Sequence, residues 1–471
     1  MKPNQRYQKL EQHLSQENPV LLEILDSYKA LDAIGYKTGL LSKEQSYAEK
    51  ISWWPMISVL GTFSAGKSSF INQYLGKPIQ QTGNQAIDDK FTVLCYGTQQ
   101  EVVTLPGLAL DSDPRFPFYG ISQEIEKIDS GEGSKVDHYL QIKTTASDQL
   151  KGKILIDSPG FDADSQRSAT LKITSHIMDM SDLVLVFFDA RHPEPGAMRD
   201  TLEHLVSSVF NRKDFGKVLY ILNQIDSAAQ EDNPEEVIGS WQRALSSQGL
   251  VGGNFFAIYN EITANNIMDD KVAERFKQKK DIDLEKIYQR MNSVSTERTY
   301  RIAHAIELTA NHIMHNQLPA LQKHLLSWRK KVLWAEGILL VLIAVLSGYL
   351  ISISGSFHWS QDTFKLFGSY YYSGVLALVV LGGWFALHQY IRRTMANWQI
   401  KSLSKTMPEL EHAFRYNTPF WRGMFSQTVR GWRKRQKVKL NQLIASSKVA
   451  IQKLNDQYTD PSGNAKKESE N

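Results

Sequence analysis

Residues 55–75, PMISVLGTFSAGKSSFINQYL, decide the fold. Residues 55–60 are mostly apolar and read as a short buried strand. Gly61-Thr-Phe-Ser-Ala-Gly-Lys-Ser68 then has the form G-x-x-x-x-G-K-S, and residues 69–75 continue with helical spacing. Strand, glycine turn and helix in that order build a cradle for phosphate. Glycines let backbone N–H groups curl around phosphate oxygens, and the helix N-terminus adds its positive dipole. Lys67 is placed to reach β- and γ-phosphates, and Ser68 offers a hydroxyl to Mg²⁺.

Further parts follow in chain order. Residues 153–157, KILID, read as a strand ending in Asp157, with Ser158, Pro159 and Gly160 after it. An acid at that strand end can join the Mg²⁺ shell, and Gly160 can present its N–H to a γ-phosphate. Residues 183–188, LVLVFF, have the unbroken apolar character of a strand covered on both faces. Residues 217–222 form another such run, ending in Asn223-Gln-Ile-Asp226. A carboxylate at Asp226 can accept from the N1–H and 2-amino group of guanine, which adenine lacks, and Gln224 can lie over the base. Residues 254–259 give the last strand. Strands alternating with helices predict a doubly wound α/β domain over 51–273, mainly parallel, with its ligand at the strand C-termini.

Composition narrows the class. There are 54 Lys plus Arg against 50 Asp plus Glu, a formal net charge of +4, which is too mild to argue for nucleic acid. Hydrophobic residues are 42% and charged residues 22%, which excludes a mostly disordered chain. The single cysteine, Cys95, excludes an internal disulfide and a cysteine-rich zinc site.

The apolar residues are concentrated late. Residues 337–354 and 371–391 carry no Asp, Glu, Lys or Arg. Eighteen helical residues span about 27 Å, close to the ~30 Å hydrocarbon core. Spans at about 332–354 and 371–391 are therefore expected, as a hairpin over 332–391. Tyr370, Tyr371, Tyr372, Trp384 and Tyr390 lie near the ends of the second, where amphipathic rings favour the interface. Arg329, Lys330 and Lys331 precede the first span, and Arg392 and Arg393 follow the second, whereas the loop between holds only Lys365 against Asp362. Both long arms should face the cytoplasm. A pair of buried core helices is the competing reading. No cleaved signal peptide is expected from the first residues.

Outside these regions the chain reads as helices. Leu10, Leu14, Leu21, Leu22, Leu25 and Leu31 make a stripe over 1–50, broken near Pro19, that is expected to pack on a stalk. Residues 281–331 read as a stalk arm, with a kink expected at Pro319. A basic helical arm covers 392–456, and the tail 457–471 reads as disordered. No acid lies between Glu411 and Asp456, while Arg415, Arg422, Arg430, Arg433, Lys434, Arg435, Lys437 and Lys439 gather there with Phe420, Trp421, Phe425 and Trp432. Anionic lipid contact by 415–439 is the expected use. A solvated face, a stalk interface and nucleic acid are the alternatives.

The loop Gly61-Thr-Phe-Ser-Ala-Gly-Lys-Ser-Ser69 resembles the G-x-x-S-A-G-K-S-S loop of the dynamin superfamily of large GTPases. Within it, Asp89-Lys-Phe91 with 93–97, Asp113-Pro-Arg-Phe-Pro-Phe118 and Phe188-Asp-Ala190 resemble the EH-domain-containing ATPases. The resemblance does not extend to an EH domain, and the paired spans look more like mitofusin-type and bacterial dynamin-like members of a bacterial inner membrane. The resemblance implies homodimers or higher oligomers formed through the nucleotide domain, Mg²⁺, hydrolysis of GTP or of ATP, and bilayer remodelling. It implies nucleotide contacts from Gly61, Thr62, Phe63, Ser64, Ala65, Gly66, Lys67, Ser68, Ser69, Asp157, Asn223, Gln224 and Asp226. Ser64 would meet the β–γ bridge and a monovalent cation, and Ser64, Lys67 and Gly160 would carry the catalytic contacts.

This chain departs from the pattern in places. Phe63 stands where the family keeps glutamine, and Gln224 replaces the lysine of Asn-Lys-x-Asp. The switch threonine that would complete the Mg²⁺ shell falls on Asp88, or its role passes to Thr82 or Thr92. Phe161 is hydrophobic where a Ras-like enzyme orients water, a lack that dynamin-like proteins share. The expected activity is therefore a membrane-anchored GTPase coupled to fusion, fission or repair. A slow-hydrolysing switch that recruits a partner and a static membrane tether are the other classes.

Overall fold

A computed structural model describes residues 3–17, 20–83, 90–112, 126, 136–160, 168–191, 215–228, 234–247, 253–261, 264, 270–353, 370–424, 426 and 428–458. Asp88, Asp89, the motif at 113–118, Phe161, Phe425, the inter-span loop at 354–369 and the tail at 459–471 lie outside the described residues.

Two compact units divide the chain, one formed by Met1–Leu22 and Glu49–Ile302, the other by Glu23–Ala48 and Ala303–Asn471. Among the described residues of the first, eight strands form one sheet in the order β3-β4-β2-β5-β1-β6-β7-β8. They are β1 (Met56–Gly61), β2 (Phe91–Tyr96), β3 (Val103–Pro106), β4 (Leu140–Thr145), β5 (Ile154–Asp157), β6 (Leu183–Asp189), β7 (Val218–Asn223) and β8 (Asn254–Ala257). The sheet is mainly parallel, and only β2 against β5 and β3 against β4 run antiparallel. Helices α1 (Pro3–Glu17), α2 (Val20–Thr38), α3 (Lys67–Leu75), α4 (Ser168–Met180), α5 (Pro234–Ser247), α6 (Asp270–Asn311), α7 (Leu318–Ile353), α8 (Tyr370–Thr406), α9 (Glu411–Asn417) and α10 (Lys434–Tyr458) follow in chain order.

The core shows why the strand sequences are continuously apolar. Successive residues of β6 point to opposite faces. Val184, Val186 and Phe188 join Trp241 of α5 in one cluster, and Leu183, Leu185 and Phe187 join Phe70 of α3 in the other. With both faces covered, no polar alternation is needed.

The second cluster also takes Ile287, Met291 and Val294 of α6. This corrects two expected boundaries. The nucleotide unit does not stop at 273, and the arm does not begin at 281. The stripe Leu284, Ile287, Tyr288 and Met291 covers a sheet face instead of a helix bundle. Asp182, at the entry to β6, fixes this helix. Its carboxylate accepts from Met56 N at 3.0 Å and from Nη1 of Arg298 and of Arg301 at 3.1 Å each. The 1–50 segment is divided too: α1 belongs with the nucleotide unit, and only 23–48 with the other.

In the second unit, a π-helical turn, His312–Gln317, separates α6 from α7. It sits just ahead of Pro319, whose missing N–H and bulky ring forbid an unbroken α ladder. From there α7 changes character along its length. Leu318, Leu321, Leu325, Trp328 and Val332 are buried at steps of three or four, whereas the apolar residues from Leu333 to Ile353 are mostly exposed. The apolar half of α8 is exposed as well, so these are two helices long and apolar enough to cross a membrane. Among the described residues almost none of either apolar window is buried, 6% and 0%. The two helices pack against each other through rungs such as Lys331 Nζ to Gln399 Oε1 at 2.9 Å.

Candidate nucleotide site

The site lies where the strand order reverses, at the C-terminal end of β1 between β5 and β6, the place where doubly wound sheets bind ligands. Gly66 closes the loop with φ 80°. A Cβ there would stand 2.2 Å from Nδ2 of Asn223, so only glycine fits. Asn223 Nδ2 donates to the Ala65 carbonyl at 2.8 Å, and Gln224 Nε2 donates to the Ser64 carbonyl at 2.6 Å. The 223–226 motif therefore shapes the phosphate loop from outside. Its Asn and Gln hold loop carbonyls away from the pocket, which leaves the loop N–H groups for the ligand.

Lys67 is buried and donates to the Gly61 and Thr62 carbonyls at 3.0 Å each. Burial lowers its pKa to about 8, and the nearby Asp157 carboxylate opposes that shift. A triphosphate would replace the two carbonyls with charge-assisted partners. Ser68 Oγ donates to Asp157 Oδ2 at 3.2 Å. A hydroxyl and a carboxylate converging at the loop are a hard-oxygen pair that fits Mg²⁺. Gly160 abuts the loop, because a Cβ on it would lie 2.9 Å from Phe63 Cα. Thr62, Phe63 and Ser69 lie partly buried in the loop and the first turn of α3.

Asp226 is buried in a single helical turn, Ile225–Ala228, beyond β7. Arg191 and Tyr259 lie within electrostatic reach of it. Arg191 also grips Asp189, donating from Nε to Oδ1 at 3.0 Å and from Nη2 to Oδ2 at 2.5 Å. This cluster, at the C-terminal ends of β6, β7 and β8, is the candidate base pocket.

Of the switch candidates, Thr92 lies inside β2, wholly buried, with Oγ1 accepting from Gln141 Nε2 at 2.8 Å. Thr92 is the cross-strand partner of Asp157, in the antiparallel pairing of β2 with β5. Thr82 is exposed.

Three participants carry no motif of their own. Gln80 Nε2 donates to Asp157 Oδ2 at 2.7 Å, and Lys143 Nζ donates to Gln80 Oε1 at 2.7 Å. Asn72 of α3 sets Gln80, accepting from the Ile79 and Gln80 amides at 2.9 and 2.8 Å. The phosphate-loop helix thus positions, through its own asparagine, the amide that orients the Asp157 carboxylate.

Comparison with known proteins agrees with this geometry. The Dynamin family model matches residues 57–225. EH domain-containing protein 1 of Arabidopsis thaliana is 26% identical over 180 residues, 36% of this chain and 30% of that protein. EH domain-containing protein 2 of Rattus norvegicus is 23% identical over 229 residues, 45% of this chain and 39% of that protein. The chain therefore spans well under half the length of these curated relatives. A solved structure described as an oligomerised bacterial dynamin pair for long-range sensing and tethering of membranes aligns at 13% identity and a TM-score of 0.33, covering 96% of this chain and 76% of that one. Residues 57–225, which carry the G-x-x-S-A-G-K-S-S loop on a mainly parallel sheet, are thus similar to the nucleotide domain of the Dynamin family.

Proposed function

We propose that the chain is a membrane-anchored, dynamin-like GTPase whose nucleotide domains associate between copies and couple hydrolysis to bilayer remodelling. The observation that carries this reading is the presence, in one chain, of a built phosphate cradle and two helices with exposed apolar surface.

In the proposed reaction, water attacks the γ-phosphorus, the bond to the β–γ bridging oxygen breaks, and GDP and inorganic phosphate leave. Lys67 and the loop N–H groups hold the negative charge on the phosphates. Ser68 and Asp157 would hold Mg²⁺, which supplies neutralisation of phosphate charge when bound. Ser64 would meet the bridge and would hold a monovalent cation, and Gly160 would present its N–H to the γ-phosphate. Asp226 reads the purine edge, which favours guanine, while Gln224 supports the loop. Helices α7 and α8 cross the bilayer with both chain ends on the cytoplasmic side, in keeping with their basic flanks. The exposed residues Arg415, Arg433, Lys434, Arg435, Lys437 and Lys439 meet anionic headgroups, at about 1 kcal/mol each near the surface.

Competition binding on the detergent-purified full chain tests the nucleotide part. GTP displacing a labelled analogue at lower concentration than ATP supports it. Equal or stronger displacement by ATP overturns the guanine assignment, and no displacement by either overturns the site.

A further inference from the structure

The hairpin is accompanied by a short ledge at one height. Trp328 Nε1 donates to the Arg392 carbonyl at 3.3 Å, and Glu336 hydrogen bonds to His388. Between these rungs the antiparallel helices bring Trp334 of α7 and Tyr390 of α8 to about the same level. Both rings are exposed, at 73% and 68%.

The chain returns to this level after α9. Arg392, itself buried, donates from Nη1 to the Phe420 carbonyl at 3.3 Å and from Nη2 to the Pro419 and Arg422 carbonyls at 3.3 and 2.9 Å. Gln389 Nε2 adds a bond to the Phe420 carbonyl at 3.4 Å. Asn417 closes the loop behind, its Oδ1 accepting from the Arg430 amide at 2.7 Å. The backbone of 419–422 is therefore fixed beside the base of the apolar surface. Its two rings, Phe420 and Trp421, pack edge to face with centroids 5.1 Å apart and remain 58% and 66% exposed.

Leaving two large rings in water is costly, at about 25 cal/mol per Å² of apolar surface. Here they continue the apolar surface of the hairpin at the level where Trp and Tyr rings favour a membrane–water interface. Exposed Lys330 and Arg393 stand near the same level, as suits anionic headgroups. Continuity with the hairpin and this charge identify the occupant. We propose that Phe420 and Trp421 seat in the headgroup–acyl boundary of the phospholipid bilayer, beside Trp334 and Tyr390. The loop they belong to is a ledge that sets how deep the hairpin sits. This rests on the reading that α7 and α8 span a bilayer.

Nitroxide labels on the full chain test it, in a Cys95→Ser background reconstituted into phosphatidylcholine–phosphatidylglycerol vesicles. One label replaces Trp421 as Trp421→Cys. Another sits at Gly423→Cys, where an added Cβ meets nothing within 4 Å and both rings stay intact. Val345→Cys in the hairpin and Val449→Cys on α10 are references. The ledge predicts nickel-chelate collision at 421 and 423 several-fold below that at 449, with oxygen collision between the 345 and 449 values. It also predicts that Phe420→Ser with Trp421→Ser restores nickel access at 423. Nickel access at 421 and 423 equal to that at 449, with 345 still protected, overturns the ledge and leaves the spanning reading standing. Dipolar broadening between 421 labels of two copies overturns it in favour of a protein interface. Nickel access at 345 overturns both.

Discussion

Ser64 and Gln224 are the non-glycine residues with positive φ among those described, at 58° and 62°, and they are joined by a 2.6 Å hydrogen bond from the Gln224 amide to the Ser64 carbonyl. Each left-handed residue costs about 1 kcal/mol or more, and persists where the surroundings fix it. The phosphate loop and the base-side loop thus hold each other in shape. Gln224→Ala keeps the backbone cost and loses the bond. Nucleotide binding should weaken about fivefold, for roughly 1 kcal/mol, in a fluorescence titration. Gln224→Lys, whose ammonium can reach the same carbonyl, should stay within about twofold.

Proton uptake should accompany binding in mildly alkaline solution. Burial lowers the pKa of Lys67 to about 8, and bound phosphates raise it again. The charged lysine is the binding form, so affinity is steady well below that value and falls as pH rises through it. The fall should approach tenfold per pH unit until the raised, ligand-bound pKa is reached. Calorimetry at about pH 8.5 in two buffers of different ionisation enthalpy reads the uptake directly. Lys67→Met should abolish both the uptake and most of the binding.

The Asp157–Gln80–Lys143 chain should set metal affinity. A metal ligand that loses its supporting hydrogen bond typically costs 10–100-fold. Gln80→Ala should therefore raise the Mg²⁺ concentration for half-maximal hydrolysis by about tenfold. Lys143→Met should give a smaller shift, because it acts through Gln80. A magnesium titration at saturating nucleotide makes the measurement.

Asp182 should matter for folding and little for chemistry. Removing it as Asp182→Ala leaves the guanidinium of Arg298, which is 14% exposed, with the Ser52 carbonyl but without its anionic partner. Breaking a buried pair by removing one partner costs about 3 kcal/mol. The urea midpoint of the nucleotide unit should fall accordingly, with nucleotide affinity unchanged at low denaturant.

The legible parts of the site were those made of consecutive residues. The loop over 61–69 appears whole in the sequence because one turn and one helix start must supply all its donors. Asp157 and the 223–226 motif were legible as strand ends. Gln80 and Lys143 were not, because Gln80 meets Asp157, and Lys143 meets Gln80, across strands and loops with no local pattern to signal it. The C-terminal limit of the nucleotide domain was misplaced for a related reason. An apolar helical stripe such as Ile287 to Val294 records that a face is covered, but not whether a sheet or another helix covers it. The sequence offers Thr92 as a switch residue by type alone, and its burial in β2 opposite Asp157 needed the sheet register. The break before Pro319 was legible from proline chemistry, though its form as a π-helical turn was not.

The most direct test of membrane-coupled self-association is GTP hydrolysis per molecule by the full chain in vesicles, measured over a range of protein-to-lipid ratios. Association through the nucleotide domains predicts a turnover that climbs with surface density and vanishes with Lys67→Ala. A low turnover that stays flat across all densities would contradict it.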